Sequence, residues 1–362
     1  MKILILALSG IGDALMFTPA LSLLRKELPD AEIDILVMIK GAEDLYKSNK
    51  NINRVIYFDF LKKGFFSSVK FIFSLRSKYD LTINVYPSNR KEYNIISYLI
   101  GAKKRAAVEY LRRDRENFGF LNNIRIKEND AFHNAITNIR LVEKILNKTL
   151  REEPPYDFSL SNEDLFYAEN YLNDIQINED DFVVGFHPGC ATLKNHIKRR
   201  WEPEKFAALA DRLIKEDNAK ILIFGGLEEE ELKSRIASLV NSPGLHLVKA
   251  KSLSSSAAIM KRCNLFVTND SSLMHVASAL KLKVVAVIGP TNRLYIHPWK
   301  TDYRIVSLNL ACSPCFFYSP KPLVCYRNDV KFKCIKEITV DMVYEAVKEM
   351  KDVKQETKKW WL

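Results

Sequence analysis

Glycine and proline are sparse in this chain, 12 and 13 of 362 residues, which excludes collagen-like and low-complexity architectures. Cysteine is sparser still at six, so a disulfide framework of the kind that staples small secreted domains is not expected. No window reaches the ~18 to 20 uncharged apolar residues of a membrane span. The apolar opening from Met1 to Leu8 is short, and Gly12 and Asp13 stand where a signal peptide would continue its apolar region toward a small-residue cleavage site. It reads as a buried first strand. These absences leave a folded chain expected in the cytoplasm, either soluble or held peripherally at a membrane.

With 47% hydrophobic and 27% charged residues the composition is globular, and 362 residues exceed what one core usually holds. Two domains of ~150 to 200 residues are expected. The formal net charge is +11, and it is unevenly placed: residues 51–127 contain sixteen Lys and Arg against six Asp and Glu, so all but one of the excess charges lies there. A basic face in the first half suits an anionic lipid, a phosphorylated acceptor or nucleic acid. It could equally be a solvated face that serves solubility. No nucleic-acid module with interleaved aromatics at set spacing is present, so nucleic acid ranks last and no nucleic-acid partner is expected.

Apolar, β-rich runs alternate with helix-period segments from the first residue, the pattern of parallel strands joined by helical crossovers in an α/β fold. Strands are expected at 3–8, 33–38, 54–58 and 81–85, with helices near 14–28, 41–49, 65–78 and 131–149. The pattern breaks between Leu150 and Asp181, around Pro154 and Pro155, and then resumes with strands at 182–186, 220–224, 265–268 and 284–288. This gives a Rossmann-like domain over 1–165, a second over 175–345 and a basic tail over 346–362. Two doubly wound parallel sheets facing a cleft bind ligands beyond the carboxyl ends of their strands.

The first such loop is Ser9-Gly10-Ile11-Gly12-Asp13. It is not a dinucleotide fingerprint, because Leu15 stands where the third glycine belongs and a carboxylate at 13 would repel a pyrophosphate. Asp13 either caps the following helix or acts as a general base on an acceptor hydroxyl. The second loop runs from His187-Pro188-Gly189 through Thr192, Lys194 and His196 to Lys198-Arg199-Arg200-Trp201, and its cations suit a diphosphate. A solvated charge run is the plainer alternative. The third, Gly225-Gly226-Leu227-Glu228, offers an acid for ribose hydroxyls, although an acidic first turn steadies any helix. The fourth, Asp270-Ser271-Ser272 with His275 one turn on, gathers hydroxyls and backbone amides fit for a sugar or phosphate. His275 could instead be a packing residue.

Taken in order, the Gly-x-Gly-Asp13 start, His187-Pro188-Gly189 with its basic-Trp201 continuation, Gly225-Gly226 with Glu228, Asp270 to His275 and Gly289-Pro290-Thr291 resemble the ADP-heptose:lipopolysaccharide heptosyltransferases, family-nine glycosyltransferases of GT-B architecture. The resemblance implies an inverting transfer of a heptose or related sugar from an ADP-sugar to a hydroxyl of a lipopolysaccharide core acceptor. It implies Asp13 as base, with Thr192, Lys198, Arg199, Glu228, Asp270, Ser271, Ser272 and His275 on the donor. Gly12, Lys62, Lys63, Arg112 and Arg113 would then meet the acceptor at the inner face of the inner membrane, and catalysis would need no cofactor. Three departures are visible: Arg199 stands where the family usually has lysine, the loop between Gly189 and Trp201 is longer than in many relatives, and Asp270-Ser271-Ser272 replaces Asp-Thr-Gly. A sugar-nucleotide epimerase on the same architecture is the rival enzyme, separable by assaying the donor alone.

Cys312, Cys315, Cys325 and Cys334 lie within 23 residues, at spacings that suit a structural zinc or iron or simply a set of reduced thiols. The ending Lys358-Lys359-Trp360-Trp361-Leu362 is of a kind that favours lipid interfaces, or else packs as a tail.

Overall fold

The computed structural model describes residues 1–317 and 322–353. Two six-stranded sheets carry it. In the first, β1 (Lys2–Ala7), β2 (Glu32–Val37), β3 (Arg54–Tyr57), β4 (Leu81–Asn84), β5 (Lys104–Glu109) and β6 (Ile124–Lys127) run parallel in the order β3-β2-β1-β4-β5-β6. In the second, β7 (Val183–His187), β8 (Lys220–Ile223), β9 (Leu245–Leu247), β10 (Leu265–Asn269), β11 (Lys283–Val287) and β12 (Tyr303–Val306) run parallel in the order β12-β11-β10-β7-β8-β9. Each half therefore repeats one doubly wound topology, with the strand order reversing between its first and fourth strands.

Central strands are buried on both faces, which is why β1 and β11 read as unbroken apolar runs. β6, β9 and β12 lie at sheet edges and keep half-exposed residues. With β5, which opens on Lys104 and Arg105, they are the strands that periodicity did not reveal. The helix Lys91–Ile100 was also unforeseen; it stops at Gly101, whose φ of 76° is left-handed. Asn147, Asn218 and Asn241 end three further helices in the same conformation.

The expected boundary region holds the helix Asn162–Asp174, which packs on the helix Leu253–Met260 of the second half. The helix Val340–Asp352 crosses the point where a tail was expected to begin, and it buries Ala346, Val347 and Met350 in the second core. Residues 358–362 lie outside the described residues. No helix among the described residues is long and apolar enough to cross a membrane.

The halves meet through apolar packing, since one buried cluster draws on Ala14, Leu15, Met274 and Val276 alike, and through polar and aromatic contacts. Asn292 Nδ2 donates to the Asp130 carbonyl (2.9 Å), Trp299 Nε1 donates to the Pro154 carbonyl (2.8 Å), and His133 stacks on Trp299 with ring centres 4.7 Å apart.

Candidate active site

The loops after β1 and β4 flank the point of strand reversal in the first sheet, and those after β7 and β10 flank it in the second. These four loops face one another. The helix Ile11–Glu27 follows β1 directly, and Asp13 at its third position accepts the Gly10 backbone N–H (3.0 Å). The cap is therefore real. The same carboxyl is half-buried between the domains, and burial raises its pKa from an ordinary 3.8 to about 7, against the opposing pull of the Gly10 N–H and of Arg199. Asp270 adds a like charge that pushes the same way. Cap and base are thus compatible roles of one side chain.

Gly12 owes its place to a close approach. A Cβ there would come within 2.9 Å of His275 Cδ2 and 3.5 Å of Ser272 Cα, both at the start of the helix Ser272–Ala279 after β10. The bare Cα lets the two helix N-termini meet across the cleft.

On the donor side, Arg199 is buried and donates to Asp270, which also accepts from the Thr291 hydroxyl (2.6 Å). Lys198 and Thr192 are exposed on the lip of the same loop. The difference between Arg199 and its neighbour is set by Trp201: its indole is fully buried, its backbone N–H donates to Asn269 Oδ1 (2.9 Å), and its Nε1–H donates to the Ile338 carbonyl (2.9 Å). So anchored, the 3-10 turn Leu193–Arg199 faces Arg199 inward. Lys194 is half-buried, and burial together with Arg90 of the first domain lowers its pKa. Cations from both domains thus converge on the cleft.

Ser271 is buried and caught between His187 Nδ1 (2.8 Å) and the Thr268 hydroxyl (3.1 Å). Ser272 is half-exposed at the helix start. His275 is buried, its pKa lowered to about 4 chiefly by burial, and its Nδ1 meets the Tyr156 hydroxyl at 3.4 Å. It is a neutral imidazole at physiological pH.

Glu228, the acid assigned to the ribose, is exposed. Its neighbour Glu229 is the one that turns inward, bonded to His187 Nε2 (3.1 Å), to the Gly226 N–H (3.1 Å) and, at 3.5 Å, to Arg200. A Cβ on Gly189 would fall 1.6 Å from Glu229 Oε1, and one on Gly225 would fall 2.8 Å from Oε2. The glycines of two separate motifs therefore make room for one carboxylate, a signal present in the sequence but not readable without the fold.

The other expected acceptor residues are Lys62, Lys63, Arg112 and Arg113, of which Arg112 reaches across to the second half. Lys62 and Lys63 are exposed, Lys62 lying 3.9 Å from Asp59. Arg112 pairs with Asp130 (3.3 Å) and lies over the Phe317 ring, while Arg113 pairs with Glu116.

The four cysteines are free thiols: Cys312 and Cys315 exposed, Cys325 half-buried, Cys334 buried. Among the described residues no group of three or more His, Cys, Asp or Glu is arranged to hold a metal ion. Burial pushes Cys334 up to about 11 and raises Cys315, and the neighbouring cysteines push both the same way.

This arrangement has known counterparts. The model for glycosyltransferase family 9 (heptosyltransferase) matches residues 68–323, well over half of the chain. The lipooligosaccharide heptosyltransferase 2 of Campylobacter jejuni subsp. jejuni serotype O:2 is 26% identical over 362 aligned residues, covering 97% of this chain and 98% of that protein. The lipopolysaccharide heptosyltransferase 2 of Escherichia coli K12 is 25% identical over 85% of this chain and 88% of its own. Among solved structures, the E. coli ADP-heptose lps heptosyltransferase II superposes with a TM-score of 0.74 at 21% identity, over 97% of this chain and 98% of that one, so the fold is GT-B. With a doubly wound half on each side of the cleft and a family match that spans both, the chain is a glycosyltransferase and belongs to glycosyltransferase family 9, the heptosyltransferase family.

Proposed function

We propose that this enzyme transfers a heptose, with inversion, from an ADP-linked donor to a hydroxyl of a lipopolysaccharide core acceptor. The observation that carries the reading is Asp13, a carboxyl poised near neutrality on one side of the cleft and opposite a cationic, hydroxyl-rich cradle on the other. The acceptor oxygen attacks the anomeric carbon while Asp13 takes its proton. The bond from that carbon to the diphosphate breaks, and the leaving charge meets Arg199, Lys194 and the first amides of the helix Ser272–Ala279. Asp270 holds Arg199 in place, and Ser271 and neutral His275 border the sugar. Glu229, rather than Glu228, takes the ribose. The chain supplies base and cations itself, so the step as written needs no cofactor.

The names of the relatives support both substrates: lipopolysaccharide or lipooligosaccharide heptosyltransferases by sequence, and a solved neighbour named for ADP-heptose. A lipid-anchored acceptor puts the enzyme at the cytoplasmic face of the inner membrane, with the basic 51–127 face toward it. The test is transfer from ADP-heptose to a heptose-deficient core acceptor, beside the donor alone. Product with acceptor and an intact donor without it supports the reading; acceptor-independent release of ADP would replace it with an epimerase or hydrolase.

A further inference from the structure

The cationic face carries an apolar feature that the charge count hid. Leu61, Phe65 and Phe66 are 74%, 75% and 87% exposed, within an unbroken exposed run from Leu61 to Ser67. Phe73 is exposed one helical stretch later. Single exposed apolar residues are ordinary, but two adjacent phenylalanines and a leucine held in one projection are not.

The projection is built. Asp59 Oδ1 accepts the backbone N–H groups of Leu61 and Lys62 (3.1 Å each), Gly64 turns the chain at a φ of 72°, and the helix Phe65–Ser74 begins there. Beneath it, Phe58 and Phe71 stack with ring centres 4.1 Å apart and Phe60 packs 4.8 Å from Phe58, rooting the projection in the core that contains Leu4, Leu6 and Ile72. Phe65 and Phe66 turn away from that platform.

Apart from Asp59 at its base, 3.9 Å from Lys62, charge around the projection has one sign. Residues 60–78 contain Lys62, Lys63, Lys70, Arg76 and Lys78 and no Asp or Glu. The segment also leaves the carboxyl end of β3, the same edge of the sheet from which the Asp13 loop leaves β1. Only β2 stands between those strands, a lateral separation of roughly 10 Å at the usual strand spacing.

We infer that Leu61–Phe73 is a docking wedge for an anionic bilayer surface, with Phe65 and Phe66 entering the acyl boundary and the lysines meeting lipid phosphates. The inference rests on the reading of a lipid-anchored acceptor and gives it a physical device. Aromatic side chains with a basic rim satisfy the two-signal requirement for stable peripheral attachment, apolar burial plus attraction to anionic headgroups. Long lysine stems can lie along the apolar surface while their ammonium groups stay with the phosphates. A second copy of the chain fits poorly, since face-to-face pairing would set five cations against five. Docked by this edge, the cleft opens toward the surface in which the acceptor is held.

The experiment is co-flotation of the full chain with vesicles of phosphatidylglycerol and phosphatidylethanolamine, beside vesicles of phosphatidylcholine alone. Wild type should float with the anionic vesicles and hardly with the neutral ones. Phe65→Ser together with Phe66→Ser should lower anionic-vesicle partitioning by at least about tenfold, the loss expected from withholding even one phenylalanine from burial. That drop should persist at salt concentrations that screen the lysines. The variant should keep its thermal midpoint, its ADP affinity and its transfer to a delipidated, water-soluble acceptor, while transfer to vesicle-embedded acceptor falls with the binding.

Unchanged flotation of the double variant, no flotation of wild type, or light scattering that shows a wild-type dimer dissolved by the double substitution would each overturn the wedge. Phenylalanine-dependent flotation of a protein that glycosylates neither form of the acceptor would leave the wedge standing and overturn the substrate reading instead.

Discussion

Replacing Asp13 by asparagine should move activity and stability in opposite directions, and the two shifts can be sized from the site. Asparagine keeps the shape and, through its Oδ1, the bond accepted from the Gly10 N–H, so the helix cap survives. What goes is the charge. Loss of a general base costs ~10²- to 10⁴-fold in kcat, while ADP affinity, which belongs to the second domain, should stay within a few-fold.

For stability, burial has raised the carboxyl from 3.8 to about 7, so between those values the folded state holds a proton that the unfolded chain has released. Stability attributable to this group is therefore fully present below pH 3.8, falls as pH rises and is gone above 7. At 1.36 kcal/mol per tenfold change in proton affinity, the burden on the ionised enzyme is at most about 4 kcal/mol. An uncharged amide in the same place does not carry it. The Asp13→Asn variant should match wild type near pH 4 and exceed it in unfolding midpoint at pH 8, with urea or thermal denaturation as the assay and ADP-heptose turnover measured on the same samples. Wild-type kcat should rise with pH through about 7 as the base deprotonates. A variant of normal turnover, or one whose stability tracks wild type at every pH, would refute a buried, strained base and leave Asp13 a simple cap.

Three further outcomes follow from the donor side. Arg199→Ala strips the buried Asp270 of its cation and should cost about 3 to 5 kcal/mol in denaturation together with ADP binding by calorimetry, whereas Lys198→Ala, on the exposed lip, should change ADP affinity little. Glu229→Gln should raise the donor KM by roughly tenfold, the loss of a charge-assisted bond, while Glu228→Gln leaves it unmoved. Gly12→Ala places a methyl 2.9 Å from His275 Cδ2, so the domains must part slightly, and kcat should fall by more than ADP affinity does.

How much of this was legible in the sequence depended on what decided each feature. The two doubly wound halves were legible because strands buried on both faces are rich in apolar residues: β1 and β11 are apolar after their leading lysines, and β4, β7 and β10 add polar residues such as Thr82, Asn84, His187 and Asn269 without a carboxylate or a lysine. β5, β6, β9 and β12 were hidden because partly exposed strands may carry Lys, Arg and His. At the site, residue type and order at strand ends pointed to Asp13, Arg199 and Asp270. Choices between neighbours did not follow: Glu228 against Glu229 and Lys198 against Arg199 turn on the phase of a 3-10 turn, which composition does not encode. The net charge of residues 51–127 pointed to a surface, and only exposure showed that two phenylalanines stand at its front.

The repeated topology also explains why the chemistry divides as it does. Each sheet reverses its strand order once, and a helix N-terminus sits at each reversal, after β1 and after β10. Both ends are electropositive by their dipoles, so one of them must change sign before it can serve as the proton-accepting side. Asp13 at the third position of the first helix does this, while the second helix opens on Ser271 and Ser272 and remains fit for an anion. Because Gly12 lets the two ends approach to side-chain contact, the second end sets the electrostatics of the first: Arg199 lowers the Asp13 pKa and Asp270 raises it. A bound diphosphate would bring more negative charge to the same point. Donor binding should therefore raise the Asp13 pKa further and shift the pH profile of kcat to higher pH than that of kcat/KM for the donor. Coincident profiles would mean that the base and the leaving-group cradle do not sense each other, and that the cleft opens wider in the working enzyme than the approach at Gly12 allows.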